Sequence, residues 1–279
     1  MRHPLYFLCK KPINELIEGV KIMTKITSIK EIKERLQTVT EPNDPFLNNC
    51  LLDERKGVIK LVEQWRKAYE KQESLKQKWN EMTLYEQNLY VDGYHFIAGV
   101  DEVGRGPLAG PVVAAAVILP KDFVLLGLDD SKKINEKKRN EYYQQIKDGA
   151  LAVGIGIMHY YVIDEINIYE ATKKAMLEAI NNLNVDPDYV LIDAMKLPLS
   201  VPQQSIIKGD AKSVSISAAS IIAKVTRDTM MYKYDEQYPQ YGFKNNMGYG
   251  TKEHLEALKK YGPTPWHRLS FAPVKELSR

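Results

Sequence analysis

The sequence predicts an α/β fold in which a mixed sheet is flanked by helices, with a helical N-terminal extension and a helical C-terminal region. From residue 96 onward, short apolar segments alternate with longer segments of helical period, which is the pattern of α/β proteins. Before that point the apolar residues recur at helical spacing only. We therefore divide the chain into an extension, residues 1–92, and a main domain, residues 93–279. A chain of 279 residues with 44% hydrophobic content can bury a core of this kind.

The extension is predicted to begin with a capped helix. Ser28 and Glu31 form a capping-box pattern, and apolar residues follow on one face. Residues 39–45 contain two prolines and are predicted to be a loop, and a long helix is expected from Leu51 to about Trp79. Because the 22 residues before Met23 carry little pattern, we expect Met23 to be the true start of the chain.

The main domain is predicted to contain four strands and four helices. The strands are expected near residues 96–101, 112–118, 151–158 and 189–193, and the helices near 136–147, 169–182, 213–234 and 251–260. In the third strand glycines alternate with apolar residues, which is typical of a central strand against which another element packs closely.

Composition excludes several classes of protein. The two cysteines, Cys9 and Cys50, lack metal-ligand spacing, so neither a disulfide framework nor a zinc site is expected. No apolar segment approaches the length of a membrane span, and the N-terminus lacks a convincing signal peptide. We therefore expect a cytoplasmic protein, a monomer with no membrane partner.

The most informative motif lies in residues 99–111, where Asp101 and Glu102 end an apolar strand directly before Gly104, Arg105 and Gly106. Successive strand residues face opposite ways, so both acids serve one site only if the backbone bends, and glycines permit such a bend. Unshielded backbone N–H groups and an arginine can then approach a phosphate or sugar. The motif thus combines metal ligands with a nucleic-acid cradle.

Two other interpretations fit parts of this motif. A dinucleotide-binding turn fits the glycine spacing, but such a turn must open a helix, whereas Pro107 and Pro111 precede a second predicted strand. The acids could instead be solvated turn residues. Their apolar flanks argue against this, because a carboxylate at a buried strand edge is costly without a compensating cation or donor.

Two further acids point to the same chemistry. Asp193 ends an apolar strand as Asp101 does, and Asp210 lies just before the long C-terminal helix. Four carboxylates in one pocket would select hard ions such as Mg²⁺ or Mn²⁺, and two such ions can assist phosphodiester hydrolysis. Cleavage of a nucleic-acid backbone is the leading hypothesis. For Asp210 a helix-capping role fits its position equally well.

Several motifs in the correct order resemble bacterial ribonuclease HII. They are residues 99–117, 130–133, 208–213, 218–225 and 248–251. The resemblance implies a ribonuclease H-like fold and cleavage of RNA in RNA–DNA hybrids and at single ribonucleotides in duplex DNA, leaving 5′-phosphate and 3′-hydroxyl ends. Asp101, Glu102, Asp193 and Asp210 fall on the family's four acidic positions, which implies two divalent ions, Mg²⁺ or Mn²⁺, with substrate.

The resemblance also implies substrate-binding residues. Gly104, Arg105 and Gly106 fall on the turn that recognises the ribose 2′-hydroxyl, and Tyr249 falls on a tyrosine that senses the RNA–DNA junction. The loop of Ser131, Lys132 and Lys133 resembles a phosphate-contacting loop. His267 and Arg268 match a C-terminal family segment, where a packing role is at least as well supported.

Two hypotheses from other classes remain open at this point. One is a non-catalytic hybrid-binding protein, although a pure binder would gain nothing from a repulsive acidic cluster. The other is a sister nuclease of the same fold, ribonuclease HIII or a junction resolvase. The Gly-Arg-Gly turn and the Gly-Tyr-Gly motif favour ribonuclease HII, and the helical extension differs from the strand-rich N-terminal domain expected of ribonuclease HIII.

Overall fold

The computed structural model describes residues 27–277, so the expected start at Met23 and the cysteine Cys9 lie outside the described residues. The chain divides into two compact units, Met1–Ser74 and Leu75–Arg279. The division that we predict at residue 92 falls within the second unit and stays a prediction. Within the described residues, no helix is both long and apolar enough to cross a membrane.

The described part of the first unit, residues 27–74, is helical. It contains α1 (Ile29–Leu36), α2 (Pro45–Leu51) and most of α3 (Lys56–Met82). The predicted capping box is confirmed, since the Ser28 hydroxyl accepts from the Glu31 N–H and the Glu31 carboxylate accepts from the Ser28 N–H. A small apolar core of its own holds the unit together, formed by residues such as Ile32, Leu36, Leu47, Val58 and Val62.

The predicted helix from Leu51 to Trp79 is wrong at its start. A separate helix, α2, ends at Leu51, and α3 begins five residues later. The Asp44 carboxylate caps α2 by accepting from the N–H groups of Phe46 and Leu47. An aspartate before Pro45 is a helix-start signal, which the loop prediction for residues 39–45 overlooked.

The second unit contains all the strands of the described chain. After α4 (Leu84–Val91) its elements are, in chain order, β1 (Ile97–Val103), β2 (Val112–Ile118), α5 (Glu136–Gly149), β3 (Ala152–Met158), α6 (Tyr160–Ile166), α7 (Ile168–Asn181), β4 (Tyr189–Asp193), β5 (Gln203–Ile206), α8 (Val214–Gln237), α9 (Phe243–Asn246), α10 (Lys252–Tyr261) and α11 (Val274–Leu277). The predicted strands and helices of the main domain are confirmed within a few residues, whereas β5, α6, α9 and α11 were not predicted.

The five strands form one mixed sheet in the order β3-β2-β1-β4-β5. β1 pairs antiparallel with β2 and parallel with β4. In the parallel pair Val100 lies opposite Ile192, so the residues that follow them, Asp101 and Asp193, lie at the same end of neighbouring strands. Sheet order and register therefore bring together two acids that are far apart in sequence.

Helices cover both faces of the sheet at close range. On one face α7 approaches β3 so closely that a Cβ on Gly154 or Gly156 would lie 2.0 Å from a backbone oxygen of the helix. On the other face α8 lies against Gly99, whose Cβ would be 2.0 Å from the Ser215 carbonyl carbon. The predicted close packing on β3 is confirmed, but its predicted central position is wrong. It is an edge strand. The prediction failed because glycines in a strand indicate how closely a helix packs on it and not how many strands pair with it.

Candidate active site

Asp101 lies at the buried end of β1, on the face that α8 covers. Its side chain accepts from the Glu102 N–H at 2.8 Å and hydrogen-bonds the Ser220 hydroxyl of α8. Asp101 is only 5% exposed. Burial, followed by the charges of Glu102 and Asp193, raises its pKa well above the ordinary value for an aspartate. A carboxylate in this position needs a compensating cation to remain ionised at low cost.

Glu102 is the next residue of β1 and still pairs with Ala114 of β2. The expected bend follows Glu102 rather than separating it from Asp101, because β1 continues to Val103 and the backbone turns at Gly104, where φ is +92°. Burial raises the pKa of Glu102, the nearby Arg105 guanidinium opposes that shift, and Asp193 adds to it. The Arg105 Nη1 lies 3.3 Å from the Glu102 Oε1.

Asp193 ends β4, and its position is fixed by the turn after β5. The Gly209 N–H donates to the Asp193 Oδ1 at 2.6 Å. A Cβ on Gly209 would lie 3.3 Å from the same oxygen and 2.6 Å from the Ile216 side chain, so a side chain at this position would disturb the contact. The small residue lets the loop approach the strand-end carboxylate.

Asp210 follows in the same turn, the 3₁₀ segment Gly209–Ala211. Burial, followed by the charges of Asp130 and Asp193, raises its pKa, and Lys132 opposes the shift. Ser213 is the residue that caps α8, by accepting from the Ile216 N–H at 3.2 Å. The helix-capping alternative for Asp210 is therefore wrong, and its carboxylate is left facing the other acids.

The donor set suits a hard divalent cation, since it consists of carboxylates, and the charge of Asp193 helps to raise the pKa values of Asp101, Glu102 and Asp210. Within residues 27–277, no three His, Cys, Asp or Glu side chains stand in ligating positions around one point. The acids are thus neighbours whose mutual repulsion a cation would relieve. Asp101, Glu102, Asp193 and Asp210 are the residues that would hold it.

The Gly-Arg-Gly turn is held from within by Arg268, a buried arginine for which the sequence left both a family-segment match and a packing role open. Arg268 donates to the carbonyl oxygens of Gly104 at 2.5 Å, Arg105 at 2.9 Å and Gly110 at 2.8 Å. It is fully buried, and burial lowers its pKa to about 9. No local signal could have revealed this role, because the partners lie about 160 positions away in the chain.

Tyr249 lies directly beside this turn. A Cβ on Gly106 would be 3.4 Å from the Tyr249 Cε1, and the Tyr249 side chain is 48% exposed. The Leu108 N–H donates to the Gly248 carbonyl at 2.8 Å, which ties the two loops together. A second fully buried arginine, Arg227, donates to the Ala109, Pro111 and Met247 carbonyls from α8. The structure therefore brings together two motifs that were predicted to act on one substrate.

The predicted phosphate-contacting loop is only partly presented at the surface. Ser131 is buried, and its hydroxyl lies 3.0 Å from that of Ser220, the residue that contacts Asp101. Lys132 is exposed, and its N–H donates to Asp130. Lys133 lies 3.4 Å from Asp129. Phosphate contact by this loop stays a prediction, and Ser131 is connected to Asp101 through the Ser220 hydroxyl.

Comparison with known proteins places the chain in one family. The family model described as Ribonuclease HII matches residues 98–274, and the Ribonuclease HII N-terminal domain matches residues 28–90. Ribonuclease HII of Bacillus subtilis (strain 168) is 62% identical over 248 residues, covering 89% of this chain and 97% of that protein. Ribonuclease HII of Listeria monocytogenes serovar 1/2a is 60% identical over 249 residues, covering 89% and 95%.

Solved structures agree with this assignment. The ribonuclease H2 from Pyrococcus horikoshii OT3 superposes with a TM-score of 0.56 at 28% identity, covering 65% of this chain and 96% of that one. RNase HII in its complex with PCNA from Archaeoglobus fulgidus gives 0.54 at 26% identity, covering 63% and 95%. Bst-RNase HIII in complex with Mn²⁺ shares the fold at 18% identity, with a TM-score of 0.53 and coverage of 66% and 69%. The chain belongs to the ribonuclease HII family and is a ribonuclease H enzyme.

Proposed function

We propose that this enzyme hydrolyses the RNA strand of RNA–DNA hybrids and incises duplex DNA on the 5′ side of single embedded ribonucleotides. The observation that carries the proposal is the adjacency of two features. A repulsive group of carboxylates at the ends of β1 and β4 lies next to the Gly104–Gly106 turn, and Tyr249 lies against that turn. A ribose held by the turn would place its 5′ phosphate beside the acids.

The proposed chemistry is hydrolysis of the phosphodiester bond. Two divalent ions, Mg²⁺ or Mn²⁺, held by Asp101, Glu102, Asp193 and Asp210 would activate a water and stabilise the departing oxygen. The water oxygen bonds to phosphorus, and the bond to the 3′ oxygen of the preceding nucleotide breaks. That oxygen takes up a proton, so the products are a 3′-hydroxyl and a 5′-phosphate.

The chain's own groups then account for substrate choice. Gly104 and Gly106 leave the backbone of the turn open to a sugar, and the 2′-hydroxyl is the group that separates RNA from DNA. The exposed part of the Tyr249 ring stands where it can pack on the next sugar, which a 2′-hydroxyl would crowd. Arg105, with a side chain 46% exposed, and Lys132 are placed to meet phosphates.

We assign this catalysis to residues 93–279. The products of incision next to a ribonucleotide are substrates for its removal from DNA. The enzyme is accordingly proposed to act in ribonucleotide excision repair, as a monomer in the cytoplasm.

The experiment that tests the proposal uses a labelled DNA duplex with one ribonucleotide, an all-DNA duplex and an RNA–DNA hybrid, each with Mg²⁺, Mn²⁺ or EDTA. Metal-dependent incision 5′ of the ribonucleotide, absent from the all-DNA duplex, is the expected result. Asp193→Asn should abolish cleavage and leave hybrid binding largely intact. Asp122→Asn, at an exposed loop position, is the matched control. Incision that persists in EDTA or in Asp193→Asn would refute the proposed site.

Tyr249→Ala tests recognition separately from catalysis. The variant should chiefly impair incision at single embedded ribonucleotides and affect the hybrid less. Tyr161→Ala, which removes a tyrosine that is 58% exposed on α6, is the control. Equal losses on both substrates would remove the junction-sensing role from Tyr249.

A further inference from the structure

Two histidines of the C-terminal region form a fully buried pair that the proposed chemistry does not use. His254 lies in α10 and His267 follows that helix, and both are 0% exposed. Their Nε2 atoms are 2.9 Å apart. Two ring nitrogens at this distance must share one proton, so one ring donates and the other accepts.

The surrounding backbone determines which ring donates. The Thr264 N–H donates to the His267 Nδ1 at 2.9 Å, so that nitrogen carries no proton and the proton of the neutral ring is on Nε2. The His254 Nδ1 lies 2.8 Å from the Tyr249 carbonyl oxygen, which can only accept. His254 therefore carries its proton on Nδ1 and accepts from His267 on Nε2. The four groups form one directed relay, from the Thr264 N–H to the Tyr249 carbonyl.

The relay connects the Gly-Arg-Gly turn with Tyr249, the two parts of the candidate substrate surface. Its starting end lies in residues 264–268, the segment that holds the Gly-Arg-Gly turn. In that segment the Trp266 carbonyl accepts from the Gly110 N–H at 2.8 Å, and the Arg268 side chain binds the turn's carbonyls. Its final end is the backbone of Tyr249, the residue beside Gly106.

We propose that His254 and His267 are positioning residues that set Tyr249 relative to the Gly-Arg-Gly turn and so favour incision at single embedded ribonucleotides. The inference rests on the proposed function, specifically on the role of Tyr249. Burial lowers the pKa of both rings, and for His267, with the added effect of His254, to about 4. Both rings of the relay are accordingly neutral at pH 7.5.

The test exploits two substitutions that differ by one bond length. In His254→Asn the amide nitrogen can replace Nδ1 and still donate to the Tyr249 carbonyl, whereas in His254→Gln the amide lies where Nε2 was and that bond is lost. We expect His254→Gln to lower kcat/KM on the single-ribonucleotide duplex, relative to the hybrid, by about tenfold, the equivalent of one hydrogen bond. His254→Asn, which keeps the bond to the Tyr249 carbonyl and loses the one to His267, should recover only part of the ratio of kcat/KM between the two substrates.

His267→Gln provides a second test in case His254→Gln does not fold. It keeps a donor towards His254 and loses the bond to Thr264, so the substrate ratio should again fall. Melting temperatures of all variants show whether each is folded at the assay temperature. An equal loss on both substrates, or a ratio that His254→Asn does not recover even in part, would mean that the pair is only structural and would overturn the inference.

Tyr249→Ala in the same assay separates the inference from the function on which it rests. If Tyr249→Ala lowers the substrate ratio and neither His254→Gln nor His267→Gln does, the relay is refuted and the proposed function stands. If Tyr249→Ala itself leaves the ratio unchanged, the junction-sensing role of Tyr249 is refuted and the relay with it.

Discussion

The buried His267 makes a sharp prediction about stability at mildly acidic pH. Burial, followed by the proximity of His254, lowers its pKa from 6.5 to about 4 in the folded protein. Above pH 6.5 the ring is neutral in both the folded and the unfolded chain, so the titration of His267 does not change the free energy of unfolding there. As the pH falls below 6.5 the unfolded chain binds the proton first. Folding stability is therefore lost between the two pKa values and levels off below about 4.

The size of the effect follows from the two pKa values. With 6.5 for the unfolded chain and about 4 for the folded protein, linkage predicts a loss of about 2 kcal/mol between pH 7.5 and pH 5. The pKa of His254 is also lowered, which adds to the loss. Asp101, Glu102 and Asp210 have raised pKa values, so they act in the opposite direction.

The assay is urea denaturation at pH 7.5 and pH 5 without divalent ions, for the natural chain and for His267→Asn. An asparagine can accept from the Thr264 N–H but does not titrate. The carboxyl groups are common to both proteins, so their effect cancels in the comparison. His267→Asn should be less stable at pH 7.5 and lose about 2 kcal/mol less on acidification. Equal losses in the two proteins, or a His267 that titrates near 6.5 by NMR, would refute the reasoning.

Three further predictions concern the site and its supports. Asp101→Asn should abolish cleavage and raise the free energy of unfolding by about 1 kcal/mol, because it removes a buried charge that its neighbours repel; a lower melting temperature would contradict this. Gly99→Ala should cost more than about 3 kcal/mol in urea denaturation, since its Cβ would lie 2.0 Å from the Ser215 backbone. Arg268→Lys should lose about 2–4 kcal/mol, because an ammonium cannot reach the three carbonyls together, and unchanged stability would show that they are satisfied otherwise.

The elements that the sequence predicted well are those whose period and boundaries are local. The capping box at Ser28 and the apolar segments of β1, β2 and β4 were placed within a few residues, because hydrophobic period and cap residues act over one or two turns. β5 is only four residues long and mostly polar. It is a strand because β4 offers it a parallel edge, and a short polar segment carries no sign of that partner.

The residues of the candidate site also divide into those that local sequence predicts and those that it does not. Its acids could be found from sequence because each ends an apolar strand or precedes a helix, and such positions are visible one segment at a time. The roles of Arg227 and Arg268 could not be found from sequence, because a buried arginine is stable only where carbonyl oxygens accept its N–H groups. Five of the six carbonyls that these two arginines bind belong to a loop more than a hundred residues away.

The two buried arginines also explain how the irregular loops of the candidate substrate surface keep one conformation. Loops 104–111 and 247–249 lack helix or strand pairing for most of their carbonyls, and buried carbonyls without donors would be costly. Arg227 and Arg268 supply donors to six of them: those of Gly104, Arg105, Ala109, Gly110, Pro111 and Met247. The histidine relay does the same for the carbonyl of Tyr249. The proposed metal ligands, placed by sheet register, thus lie next to a proposed recognition surface placed by buried side chains, and substitutions in the second set should change substrate choice before they change the chemistry.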